Sequence, residues 1–198
     1  MSKYHIGIMT GTSADAIDGY IVSFDNDFSL IASDSIDHEH GYKDNYEYCI
    51  AQGLKEVHQS KELEKLENDL NERSLELIKN LLSKNNLSYE DVIAIGFSGQ
   101  TVFHSKEKSY QIGNPQIIAN NSKIKVISDF RNFDIAKGGS GAPLIPAFHK
   151  YLFSENGKEK IIFNIGGISN GTYLKGNEIS LASDVGPGNC LIDKIAKK

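Results

Sequence analysis

Apolar residues run almost unbroken from Tyr4 to Met9, give way to the polar, glycine-flanked GTSADAIDG at 11 to 19, and resume from Tyr20 to Phe24. That order predicts strand, turn, strand, and residues 29 to 37 supply a third strand before a loop carrying His38 and His40. From Tyr42 the period changes. Tyr46, Cys49, Ile50, Leu54 and Val57 recur at steps of three and four, which predicts a helix. A second helix follows, with Ser60 placed to cap it and Leu63, Leu66, Leu70, Leu77, Leu81 and Leu82 held mainly to one face. That stripe is core packing, its spacing being too irregular for a coiled-coil seam. Val92 to Phe97 reads as a buried strand ending at Ser98 and Gly99. After Gln111 to Gly113, Pro115 opens a helix, and Ile124 to Ser128 gives a further strand.

From Asp129 the texture changes as Gly138, Gly139, Gly141, Gly166, Gly167, Gly171, Gly176, Gly186 and Gly188 crowd the chain. A second lobe is expected, dividing the chain into 1–134 and 135–198. Within it Pro143 is expected to open a helix through Phe153, Ile161 to Ile165 forms a strand, and Gly176-Asn177 turns a hairpin. GPGN at 186 to 189 then leads into an apolar helical start at Cys190 to Ala196. There is no internal repeat and no low-complexity linker.

Composition narrows the classes. With 198 residues, 39% hydrophobic and 24% charged, and with 18 Gly against 4 Pro, the chain reads as an ordered globular protein with a core of its own. A formal charge of −5 gives no positive field to draw nucleic acid or anionic lipid. The start, MSKYHIGIM, lacks the regions of a signal peptide, and no apolar run approaches the roughly 20 residues of a membrane helix, so a cytoplasmic location is expected. Cys49 and Cys190 stand far apart and read as small core hydrophobes. His38-x-His40 finds no third ligand at a recognisable spacing and reads as a solvated loop. Of 21 basic residues only Arg73 and Arg131 are arginines, which marks positions where a planar fork geometry has a use.

Three segments carry candidate chemistry. Gly11, Thr12, Ser13 and Asp15 lie between two strands: glycine lets phosphate oxygens approach the backbone, the hydroxyls are short donors, and Asp15 can hold a hydrated magnesium ion. The segment is neither a Walker loop nor a dinucleotide fingerprint, and a plain polar hairpin turn is the alternative. NIGGISNG at 164 to 171 repeats the device, with Gly166 and Gly167 at a bend between strands. DFRNFDIAKGGSGAP at 129 to 143 holds Arg131 and Asp134, suited to directional hydrogen bonds with sugar hydroxyls or a carboxylate, unless Arg131 simply pairs with Asp129 or Asp134. Asp184, ahead of GPGN, could accept a proton from a hydroxyl or water; capping the helix that follows is its structural alternative.

In order and spacing, MTGTSADAIDG (9 to 19), GQTVFH (99 to 104), QIGNP (111 to 115), SDFRNFDIAKGGSGAPLIPAFH (128 to 149), NIGGISN (164 to 170) and DVGPGNCLID (184 to 193) resemble the anhydro-N-acetylmuramic acid kinases. Only the helical stretch 42 to 90 is indistinct. The resemblance implies an α/β, two-lobed fold of the acetate and sugar kinase, Hsp70 and actin type, ribonuclease H-like, with ATP and magnesium as cofactors. Gly11 to Asp18, including Asp18, would match the first phosphate loop, and Asn164 to Asn170 the second. Gln100, Arg131 and Asp134 would fall in sugar-pocket segments and Asp184 would match the catalytic base. In the implied reaction, water activated by Asp184 attacks the anomeric carbon of 1,6-anhydro-N-acetylmuramic acid, the anhydro bridge opens, and O6 takes the γ-phosphoryl of ATP. N-Acetylmuramic acid 6-phosphate results, a step of cell-wall amino-sugar recycling.

Departures accompany the resemblance. The family usually has leucine where Ala14 stands, glycine where Ala16 stands, and serine and histidine where Phe97 and Ser98 stand. If a positive φ were needed at Ala16, the phosphate loop would have to shift. Family members also continue well past residue 198, so the second lobe is expected to be truncated and to expose apolar surface. A complementing C-terminal chain or self-association would cover it. The chain alone is expected to be inactive, and a non-catalytic sugar- or partner-binding remnant is the alternative function.

Overall fold

The computed structural model describes residues 3–53 and 60–196. Leu54 and Val57 lie outside the described residues. The chain divides into two compact units, one comprising Met1–His104 and Ser109–Asp129 and the other Ser105–Lys108 and Phe130–Lys198. The break after Asp129 coincides with the change in glycine texture and precedes the expected 134/135 boundary.

In the first unit, β1 (Tyr4–Thr10), β2 (Ala16–Ser23), β3 (Ser29–Asp37), β4 (Val92–Phe97) and β7 (Lys125–Ile127) form one sheet in the order β3-β2-β1-β4-β7. β1 is central. It pairs antiparallel with β2, Ile6 opposite Ile21, and parallel with β4, Ile6 opposite Ile95. This antiparallel-then-parallel order is that of a ribonuclease H-like unit. On β2, Ile17 and Ile21 point into the core while Asp18 and Tyr20 point away from it, as period-two alternation requires. Helix α2 (Lys61–Lys84) packs on β2 and β3, and α1 (Tyr42–Gln52) packs against α2. The Ser60 hydroxyl accepts from the Leu63 N–H and so caps α2, and the leucine stripe is buried as its spacing requires. A short hairpin of β5 (Gln100–His104) and β6 (Ser109–Ile112) follows β4, and α3 (Pro115–Ser122) begins at a proline capped by the Asn114 side chain.

The second unit holds α4 (Phe130–Ala136), α5 (Pro146–Phe153), an antiparallel sheet in the order β10-β9-β8 and α6 (Asn189–Ala196). Its strands are β8 (Glu159–Ile165), β9 (Ile168–Lys175) and β10 (Glu178–Pro187). Three expectations are corrected here. The segment after Asp129 is helical before it is glycine-rich. α5 starts at Pro146 rather than Pro143, because a helix begun at 143 would reach Pro146 where the first intrahelical N–H donor is required, and proline has none. Cys190, expected in a core, is only partly buried, whereas Cys49 is fully so.

Core formation is lopsided. The contiguous buried cluster runs from Ile6 to Ile124 and lies wholly in the first unit. In the second unit Ile161, Phe163, Ile165, Leu181, Val185, Leu191, Ile192 and Ile195 are each more than half exposed. His149 of α5 is buried there and hydrogen-bonded to Thr172 of β9, with 2.9 Å between Nδ1 and Oγ1. Burial holds its pKa below the ordinary histidine value, so the unfolded chain takes up the proton more readily. The second unit should keep this contribution above the ordinary histidine pKa and lose it as pH falls through the lower folded value. Thermal unfolding of this unit across a pH series checks this, and His149→Gln should flatten the dependence; an unchanged slope in that variant counts against the assignment.

Candidate functional site

The turn between β1 and β2 is built from both ends. Gly11 O accepts from the Ala14 N–H at 3.1 Å and from Gln100 Nε2 at 3.0 Å, closing a tight turn whose middle residues are Thr12 and Ser13. With that carbonyl held toward Gln100, the trans peptide directs the Thr12 N–H the opposite way. Ala14 takes a φ of 49°, a left-handed conformation a side chain rarely adopts, while Ala16 is already extended in β2. The positive φ considered for position 16 is therefore carried two residues earlier.

Ser13 Oγ donates to Asp15 Oδ1 at 2.6 Å, and the Ala16 N–H reaches the same oxygen at 3.1 Å. Burial works to raise the Asp15 carboxyl, but the Ser13 hydroxyl and the backbone N–H groups of Asp15 and Ala16, with the Lys43 charge, outweigh it and hold the pKa below the ordinary aspartate value. Asp15 thus offers one ionised, exposed carboxylate. Among the described residues no cluster of three or more His, Cys, Asp or Glu side chains could hold a metal ion. Asp18 lies on β2 opposite Met9, on the face turned away from the core.

Beneath this turn runs a chain of polar contacts that no spacing in the sequence predicts. His38, expected in a solvated loop, has a side chain only 2% exposed. Its Nδ1 lies 3.2 Å from Asp69 Oδ2 and its Nε2 3.4 Å from Thr10 Oγ1, and its ring stacks on Tyr42 at 3.6 Å with 6° between planes. Thr10 donates to Gln100 Oε1 at 2.7 Å. Asp69 also receives Arg73 Nε, whose guanidinium reaches on through Nη2 to Glu39 at 3.0 Å. One of the two arginines thus uses its fork on two carboxylates. Gln100 is fully buried, and both ends of its amide are engaged with Thr10 and Gly11. Of the departures, Phe97 fills the core and the Ser98 hydroxyl turns to the Ile8 and Gly99 carbonyls.

In the second unit, Arg131 and Asp134 both ride on α4. Asp134 Oδ2 accepts the Gly141 N–H at 2.8 Å, tying the glycine loop back to the helix. Phe130, Phe133 and Asp134 share a helix face and, with Leu144, Ile145 and Phe148, line an open apolar hollow of about 430 Å³. Lys137 Nζ stands 5.7 Å from the centre of the Phe133 ring at its border. Asp134 lines the hollow; Arg131 is not among its lining residues.

The sheet supplies the third group. Register places Asn164, Asn170 and Asp184 side by side across β8, β9 and β10, hence on one face. Asn170 Oδ1 is buried and has no hydrogen-bond partner among the described residues. Asp184 sits in a strand and so does not cap α6. One step further along the strands Gly166 and Gly167 make the two-residue turn between β8 and β9, and the GPGN turn folds onto it. The Gly188 N–H donates to Gly167 O at 3.0 Å and the Asn189 N–H to Gly166 O at 2.8 Å. A Cβ on Gly188 would fall inside the van der Waals shell of Gly166 O and 2.7 Å from Ser169 Oγ. Gly188→Ala should destabilise the second unit by about 1–3 kcal/mol by forcing these two turns apart, as chemical denaturation would read; a change within the scatter of surface substitutions would show that the turns can part freely.

The family model described as anhydro-N-acetylmuramic acid kinase matches residues 3–198. Curated relatives of that name include one from Shewanella sp. (strain W3-18-1), 44% identical over 200 residues that cover 97% of this chain and 53% of the relative. One from Shewanella baltica (strain OS155 / ATCC BAA-1091) is 43% identical over 199 residues, with the same coverage. The chain therefore spans about half the length of these relatives. Among solved structures, an exopolyphosphatase from Cytophaga hutchinsonii superimposes with a TM-score of 0.50 at 16% identity, covering 97% of this chain and 53% of that one. A reductive activator for a corrinoid, iron-sulfur protein gives 0.51 at 13% identity over 94% of this chain and 31% of its own. These likenesses show the fold, the α/β actin-like and Hsp70-like type, and nothing of the activity. The match over residues 3–198 shows that the chain belongs to the anhydro-N-acetylmuramic acid kinase family.

Proposed function

We propose that this chain carries the sugar- and phosphate-handling half of an ATP-dependent kinase converting 1,6-anhydro-N-acetylmuramic acid to N-acetylmuramic acid 6-phosphate. The observation that carries the reading is the row of Asn164, Asn170 and Asp184 beside the Gly166–Gly167 turn, in a chain of this family. Asp184 takes the proton of the water that attacks the anomeric carbon. As the water oxygen bonds to that carbon, the C1–O6 bond breaks, and O6 takes the phosphoryl group. That group is the γ-phosphoryl of ATP, whose bond to the β-phosphate breaks to release ADP, and magnesium, when bound, would offset the phosphate charge.

The chain's own residues bind and orient. Gly11 and Thr12 offer backbone N–H groups, Asp15 would hold a hydrated magnesium ion, and Asn164, Gly166 and Gly167 provide the second phosphate-facing turn. Asp134 and Arg131 meet the sugar from α4. Gln100 acts through the first loop, since both ends of its amide are already occupied.

The second unit exposes its apolar sheet face and α6, and the relatives are about twice as long. Turnover therefore depends on a C-terminal half like theirs. A coupled ATP-consumption assay with the anhydro sugar, run on the chain alone and mixed with such a half, tests this. Activity on mixing alone supports the kinase reading. No turnover in either sample, with saturable calorimetric heat from the sugar, leaves a sugar-binding protein and rejects the kinase reading.

A further inference from the structure

We infer that His38 is a positioning residue for the Gly11–Asp15 turn, linking it to α2 through Asp69; this rests on the reading of that turn as phosphate-facing. Gly11 O can only accept, so Gln100 must present Nε2 to it and Oε1 to Thr10. Thr10 must then donate its single proton to Gln100, leaving its lone pairs toward His38 Nε2. Asp69, anchored by Arg73, fixes the other side of the ring, and Tyr42 fixes its plane. The directions from Gly11 O to Thr10 thus follow one from another, and His38 Nε2–H must donate to Thr10; a neutral ring spends its one proton there, and only the imidazolium donates to Asp69 as well.

His38 grips the turn a second time. Its backbone N–H donates to Asp15 O at 3.1 Å, while Thr10 Oγ1 also lies 3.3 Å from Ala16 O. One residue at the end of β3 thus fixes the entry to the turn through its ring and the exit through its main chain. What it sets is the plane of the Gly11–Thr12 peptide, and with it the direction of the Thr12 N–H. A side chain needed only to fill space would have no use for this ordered chain of donors, since a phenyl ring would stack on Tyr42 equally well.

The test uses the 198-residue chain, with hydrogen exchange at the Ala14 amide, which closes the turn, and titration with inorganic tripolyphosphate and magnesium. His38→Phe keeps the stacking and removes both ring contacts; Thr10→Val removes the hydroxyl at nearly constant volume. Each should speed exchange at Ala14 and weaken tripolyphosphate about tenfold, the net worth of one hydrogen bond. The double variant should go no further, because both act on one chain. His38→Gln, whose amide reaches the Nε2 position, should restore most of the protection, whereas His38→Asn should not.

Unchanged Ala14 exchange, additive effects, or a rise matched by the Ile95 amide in β4 would overturn the inference. If His38→Phe does not fold, Thr10→Val decides by the same readout. A chain that binds no tripolyphosphate but shows the Ala14 response rejects the phosphate reading and keeps the positioning role; binding without the response does the reverse.

Discussion

Leu77→Ala is expected to remove about 3–4 kcal/mol from the unfolding free energy of the first unit. Leu77 is fully buried in the middle of α2, where the helix crosses β2 at Gly19. The glycine is there for proximity: a Cβ on it would lie 2.7 Å from Leu81 Cδ1 and 3.0 Å from Leu77 Cδ2. The two leucines occupy the space a β2 side chain would take, so deleting one leaves a cavity that nothing on the strand can fill. Gly19→Ala should itself destabilise by about 1–3 kcal/mol through overpacking. The pair should be less than additive, because removing Leu77 relieves part of the clash while Leu81 remains. Urea unfolding of the four proteins gives the cycle, and a loss below about 1 kcal/mol for Leu77→Ala would mean that helix and strand close over the gap.

Asp184→Asn should lower kcat of the complemented enzyme by about 10²- to 10⁴-fold, the usual contribution of a positioned proton acceptor. The substitution keeps the size of the side chain and its place in β10 opposite Asn170, and removes only the ability to take a proton. KM for the sugar should stay close to the wild-type value, since the change falls on a contact made as the water is deprotonated. Neither backbone bond between the two glycine turns involves the Asp184 side chain, so folding should be intact and the loss chemical. A kcat within about threefold of wild type would exclude Asp184 as the base.

Local pattern explains how far the sequence could be read. β1, β4 and α2 were legible because an unbroken apolar run and a three-and-four leucine spacing each admit one regular structure. α4 was not: its seven residues are too few to show a period, and the glycines after it dominate the segment. The β5–β6 hairpin was missed for a similar reason, since its strands are only five and four residues long. In the site, glycine turns and an aspartate are visible in one dimension, but the function of a buried polar group depends on partners elsewhere. His38 meets Asp69 across 31 positions, and Thr10 meets Gln100 across 90. No spacing rule joins them. The scarcity of arginine was the one available signal, and it pointed to Arg73 at the outer end of that chain.

The lopsided core has a colloidal consequence. β8 and β10 are the outer strands of their sheet, and β8 carries Ile161, Ile162, Phe163 and Ile165 with its charges, Glu159 and Lys160, confined to one end. Such a strand offers unpaired main-chain groups and a β-favouring apolar segment to any neighbouring molecule. Association would start from the native state, rise steeply with concentration and with excluded salts such as sulfate, and take no notice of how firmly α2 holds the first unit together.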